Sequence, residues 1–111
     1  MAFKTERYKN YAIMTISEER LDSHTTPQLN SELVILSGHH VENLIIDFDG
    51  CDYCDAAGLS CIMIAHRLCK NGKLIICNVT PSIERMLSIQ RFDPELSIVS
   101  DRQEAISRMS E

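Results

Sequence analysis

Four aspartates, Asp47, Asp49, Asp52 and Asp55, and two cysteines, Cys51 and Cys54, share residues 47–55. Each chemistry that such a cluster might serve makes a demand that the sequence can meet or fail. A calcium loop begun at Asp47 needs a bidentate glutamate at position 58, and one begun at Asp49 needs it at position 60. Those residues are Gly58 and Ser60, so spacing excludes the loop. A catalytic Cys-x-x-Cys needs a positive setting to lower a thiol pKa, whereas Asp49, Asp52 and Asp55 surround Cys51 and Cys54 and act in the opposite direction. A zinc site needs a second closely spaced pair, yet Cys61 and Cys69 stand two turns apart and Cys77 lies in an apolar run. Five is an odd number for a disulfide framework, so the cysteines read as reduced, small core residues. An aspartyl phosphoacceptor fits the position of Asp47 better, because ligands gather at the ends of parallel strands. An N-terminal hairpin, and the lack of an acidic pair after an earlier parallel strand, count against it. His24, His39, His40 and His66 bear no recognisable spacing to a nucleophile, and His39-His40, just after the helix-stopping Gly38, read as solvated loop residues. With no Gly-rich phosphate loop and no nucleophile elbow, the pattern supports no catalysis. Neither metal nor cofactor is expected.

The elements that position this cluster follow from apolar periodicity. Residues 11–17 are rich in strand formers and can pair with residues 3–8 across the polar Lys9-Asn10 turn, giving an N-terminal hairpin. In Ser23-His24-Thr25-Thr26-Pro27 a hydroxyl can cap and Pro27 suits a first turn; Leu29, Leu33 and Leu36 follow at helical spacing, and Gly38 makes a stop. Residues 43–49 and 73–77 carry uninterrupted apolar centres, the mark of strands covered on both faces. Between them a loop over 50–55 leads into a helix over 56–71 whose apolar face is Leu59, Ile62, Met63, Leu68 and Cys69. Strand, helix and strand make a parallel crossover. Thr80-Pro81 opens a further helix to Gln90, residues 96–99 form a short strand, and Asp101 with Glu104 offers a capping box for a last helix. The expected order is β-β-α-β-α-β-α-β-α: an α/β domain over residues 1–111 with a mixed, mostly parallel sheet and about four helices.

Composition narrows the class of function. Of 111 residues, 44% are apolar and 24% charged, the balance of one globular domain, and no repeat or linker divides them. A net charge of -5 repels a phosphate backbone, and the basic residues are scattered, so nucleic acid is not an expected partner. The first residues lack an apolar signal core and the longest aliphatic run, residues 33–36, is too short to span a bilayer. A cytoplasmic protein with no membrane insertion is expected.

The stretch from Leu44 to Leu59, Leu-Ile-Ile-Asp-Phe-Asp-Gly-Cys-Asp-Tyr-Cys-Asp-Ala-Ala-Gly-Leu, resembles the most recognisable part of the STAS domain, the family of bacterial anti-sigma factor antagonists. There a buried strand with an acidic end leads through a small loop to Asp-Ser-Ser-Gly-Leu or Asp-Thr-Ser-Gly-Leu at a helix start. The matching residues are Asp47, Gly50, Tyr53, Asp55, Gly58 and Leu59, and Leu21-Asp22 before Thr26-Pro27 resembles the family's entry to its first helix. The resemblance implies a STAS-like fold along essentially the whole chain. It also implies a binding protein that regulates transcription by partner switching. Such a protein sequesters a serine-kinase-like anti-sigma factor through a surface here comprising Asp22, Ser23, Asp55, Ala56, Ala57, Gly58 and Leu59. The family's phosphoacceptor is the second hydroxyl residue of the loop, and Ala57 stands there. A methyl group takes no phosphate and acquires no charge beside Asp55 and Asp22. A STAS subunit held permanently in a transporter, such as a phospholipid-transport ABC system, is the alternative. Taken without the resemblance, Asp55 is a good N-cap, and the small residues behind it allow close approach by another protein.

Overall fold

The computed structural model describes residues 3–92 and 96–111. Met1 and Ala2, part of the segment read for an export signal, lie outside the described residues. Along the chain run β1 (Phe3–Arg7), β2 (Ala12–Ile16), β3 (Arg20–Leu21), α1 (Thr26–Gly38), β4 (Leu44–Asp47), β5 (Tyr53–Cys54), α2 (Ala56–Leu68), β6 (Leu74–Cys77), α3 (Pro81–Ile89), β7 (Ser97–Val99) and α4 (Arg102–Met109). The expected alternation is present, with two additional strands of two residues each.

Five strands form one sheet in the order β1-β2-β4-β6-β7. The β1–β2 hairpin is antiparallel and every other pairing in this sheet is parallel. Side chains alternate across a strand, so the uninterrupted apolar runs serve two cores. Met14, Leu44, Ile46, Leu74 and Ile76 face one side, packing with Leu29, Leu33 and Leu36 of α1, Cys61, Ile62 and Ala65 of α2, and Ile83 and Leu87 of α3. Ile13, Ile45, Ile75 and Cys77 face the other side, where Ala105 of α4 covers them. The sheet thus has three helices on one face and the last helix on the other. No helix among the described residues is long and apolar enough to cross a membrane.

Local details depart from expectation for identifiable reasons. Gly38 is the last residue of α1, and His40, at φ 60°, takes the left-handed position beyond it. Thr25 is the N-cap of α1 but caps nothing with its side chain: its hydroxyl is bonded to the carbonyls of Arg20 and Asp22. Helix α2 ends at Leu68 rather than near position 71, and Met63 is exposed, because Gly58, Cys61, Ile62 and Ala65 form the buried stripe. His66 lies half-buried in the last turn of α2 with its ring edge-on to Phe92. At α4 the Asp101 carboxylate accepts from the Glu104 backbone N–H at 2.9 Å, as a capping box requires. Glu104, however, reaches one residue further back, to the N–H of Ser100.

Candidate functional site

The corner predicted from the sequence is assembled by the two short strands. In parallel register, Arg20 pairs with Tyr53 and Leu21 with Cys54. The next residues, Asp22 and Asp55, are therefore brought to the same end of this ribbon. The Leu21 carbonyl accepts from the Asp55 N–H at 3.2 Å, and the Glu19 carbonyl accepts from the N–H groups of Asp52 and Tyr53 at 2.9 and 3.1 Å. The segments that precede α1 and α2 are thus stitched together through backbone bonds that do not depend on side-chain identity.

Asp55 caps α2 as expected: its Oδ1 accepts from the N–H groups of Ala57 at 2.9 Å and Gly58 at 3.2 Å. These are among the N–H groups a helix leaves without internal partners. Ala56 is exposed, Ala57 and Leu59 are half-buried, and Gly58 is buried against the ribbon. Asp22 is half-buried and Ser23 exposed. The Asp22 carboxyl is held below the usual carboxylate range by the backbone N–H of His24, which donates to its Oδ1 at 3.0 Å, and by Arg20, whose Nε lies 3.3 Å from Oδ2. All seven predicted site residues therefore cluster around one junction, where two loops and one helix start meet.

Arg20, and its pairing with Tyr53, escaped sequence reasoning. The Arg20 guanidinium lies over the Tyr53 ring, 3.8 Å from its centroid, and both side chains are exposed. No local signal marks this pair, since the residues are far apart in sequence and each strand is too short to show a period.

The rival chemistries look different once placed. All five cysteines are free and buried. Burial, more than the acidic neighbours, pushes the Cys54 thiol up to about 12 and raises Cys51 as well, with Asp55 and Asp52 adding to the effect. These are settings for unreactive thiols. Asp47, at the strand end where a phosphoacceptor would sit, is 3% exposed. Its Oδ1 accepts from the Asp49 N–H at 3.0 Å and from Asn78 Nδ2 at 2.8 Å, and its Oδ2 from Arg102 Nε at 3.0 Å. Both oxygens are engaged, which leaves neither poised as a nucleophile.

A corner made of a strand-end loop, a capped helix start and a parallel two-residue ribbon, set beside a mixed five-stranded sheet, can be compared with known proteins. The STAS domain family model matches residues 2–105. The chain belongs to the STAS domain family. Along 98% of its length this STAS domain is 20% identical to the anti-sigma F factor antagonist of Paenibacillus polymyxa, of which the match covers 95%. Among solved structures it is similar to the anti-sigma factor antagonist SpoIIAA in its unphosphorylated form, with a TM-score of 0.79 and 19% identity over 98% of each chain. It is also similar to an anti-sigma factor antagonist domain protein from Planctomyces limnophilus, with a TM-score of 0.85 and 18% identity over 98% of each chain. Its mixed sheet, with four helices among the described residues, is the fold it shares with those anti-sigma factor antagonist structures.

Proposed function

We propose that this STAS domain is a binding module that sequesters a serine-kinase-like anti-sigma factor, and so releases a sigma factor, through the corner of Asp22, Ser23 and Asp55 to Leu59. The observation that carries this reading is the pairing of β3 with β5, which sets Asp22 and Asp55 side by side at the start of α2. Small residues behind Asp55 keep the corner low, so a partner's backbone can approach. Binding does the work, with no turnover. Cytoplasmic location, partner switching and a role in transcription belong to the same proposal.

Ala57 stands where the resemblance to the family implies a phosphoacceptor, and makes the binding independent of a phosphate there. That residue also favours a second reading, a STAS subunit permanently associated with a transporter of the phospholipid-transport ABC type, which needs no switch. Affinity purification separates the two. Recovery of a small histidine-kinase-like ATPase supports the first, and recovery of transporter subunits instead overturns it in favour of the second. With the ATPase in hand, Asp22→Lys is expected to weaken the complex at least tenfold while the folded signal in circular dichroism is kept. Unchanged affinity in a folded Asp22→Lys protein would remove the corner from the interface. Ala57→Ser is expected to create a site that the ATPase labels with phosphate from ATP.

A further inference from the structure

Arg102 is the first residue of α4, where the helix dipole disfavours a cation. It is nonetheless half-buried there, and its guanidinium donates to side chains of three strands: Nε to Asp47 of β4 at 3.0 Å, Nη2 to Thr15 of β2 at 2.5 Å, and Nη1 to Glu6 of β1 at 3.1 Å. Burial works against its charge, but the bonds it donates to Asp47 and Glu6 outweigh that, and the guanidinium is held more basic than usual. A planar fork with donors in fixed directions suits three acceptors at once, as an ammonium does not.

Two of those acceptors are special in the fold. Thr15 and Asp47 are register partners across the β2–β4 pair, and from them the chain departs into the two halves of the corner. After Thr15, β2 ends at Ile16 and residues 17–22 run to Asp22; after Asp47, residues 48–55 run to Asp55. Asp47 also fixes the first step of its own loop, since its Oδ1 accepts from the Asp49 N–H. The Cys51 N–H then closes on the Phe48 carbonyl at 2.8 Å. Arg102 therefore grips both exits at their roots, from the face of the sheet opposite α1, α2 and α3.

We infer that Arg102 is a positioning residue for the Asp22–Asp55 corner, acting through Thr15 and Asp47, and that α4 sets the corner's geometry from the far face of the sheet. The importance of that corner for partner binding rests on the proposed function; the positioning itself does not, and it is tested without a partner. Hydrogen–deuterium exchange of the full chain is measured in peptides covering residues 17–22, 48–55 and 102–109. Arg102→Lys keeps the charge and loses the fork. It is expected to speed exchange about tenfold in both loops, with Leu87→Ala on α3 as a control that lowers overall stability without this loop-selective effect. Thr15→Val, close in shape but lacking the acceptor, is expected to speed exchange in residues 17–22 alone. Glu6→Gln, which alters the outer arm and the bond that Glu6 accepts from Tyr8 but neither Thr15 nor Asp47, is expected to leave both loops unchanged. Faster exchange confined to α4 in Arg102→Lys, or an equal rise across the molecule as in Leu87→Ala, would overturn the inference. If Arg102→Lys does not fold, the Thr15→Val result decides. Loop exchange that responds as described in a protein that binds no anti-sigma factor would leave this inference standing and sink only the proposed partner.

Discussion

A β-carbon built at Gly58 would lie 2.6 Å from Cys54 Sγ and 2.7 Å from the Leu21 carbonyl oxygen, closer than such atoms approach in proteins. Both neighbours belong to the ribbon, so residue 58 is where helix α2 rests on β3 and β5. Gly58→Ala is therefore expected to destabilise the fold by about 1–3 kcal/mol, in the range for overpacking a close contact. Cys54→Ala added to it removes only the sulfur, while the Leu21 carbonyl is backbone and stays. Urea denaturation of the single and double variants checks this. Full recovery in the double variant would show that the sulfur alone set the limit. The same residue marks what a sequence can reveal. A glycine after an aspartate at a helix start is readable as a low-profile cap, because capping joins residues two or three apart and Asp55 bonds Ala57 and Gly58 as expected. The contact of Gly58 with Leu21 is not readable, for it depends on a strand pairing formed across the whole of α1. Arg102 was equally hidden, since each of its acceptors lies on a distant element and none shares a local pattern with it.

At the level of elements, the long ones were legible and the short ones were not. β2, β4 and β6 announce themselves by apolar runs, α1 by its apolar spacing, and α4 by its apolar spacing and its capping aspartate, because each carries enough residues to show a period. β3 and β5 have two residues each, too few to alternate visibly, and they exist because backbone groups of Glu19 and Leu21 find partners in residues 52–55. Yet the ribbon is the element that turns two separate loops into one surface. Its exposed face carries the Arg20–Tyr53 stack, and a double-mutant cycle over Arg20→Ala and Tyr53→Ala is expected to give a coupling of about 0.5–1 kcal/mol, the value for a cation–π pair in water. A coupling near zero would mean that the ribbon holds through its backbone bonds alone. Arginine and tyrosine are also residue types over-represented where interfaces concentrate their binding energy, so the same two variants are informative in any binding assay built on the corner.

Across the whole molecule, the cysteines that invite a redox or metal reading act together in a different way. Burial is the first cause in every case: Cys51 is raised, Cys61 and Cys69 are pushed up to about 11, and Cys54 and Cys77 to about 12. In the unfolded chain the same thiols ionise at about 8.5. Below that value both states hold their thiol protons and the groups have no effect on the balance. Above it the unfolded state releases protons that the folded state keeps, so it binds fewer protons and stability falls as pH rises. Each thiol ionised only in the unfolded state contributes a slope of about 1.4 kcal/mol per pH unit. With five buried thiols in one small domain, the fold is expected to weaken steeply between about pH 8.5 and 11 in reducing buffer. Lysine and tyrosine also titrate there, so the decisive measurement is a comparison. The unfolding free energy of Cys69→Ala, followed by urea denaturation across this range, is expected to start lower because a buried side chain is lost. It should then fall with a slope shallower by one proton. Parallel curves for the variant and the natural protein would mean that Cys69 is ionised equally in both states and is not enclosed as the fold requires.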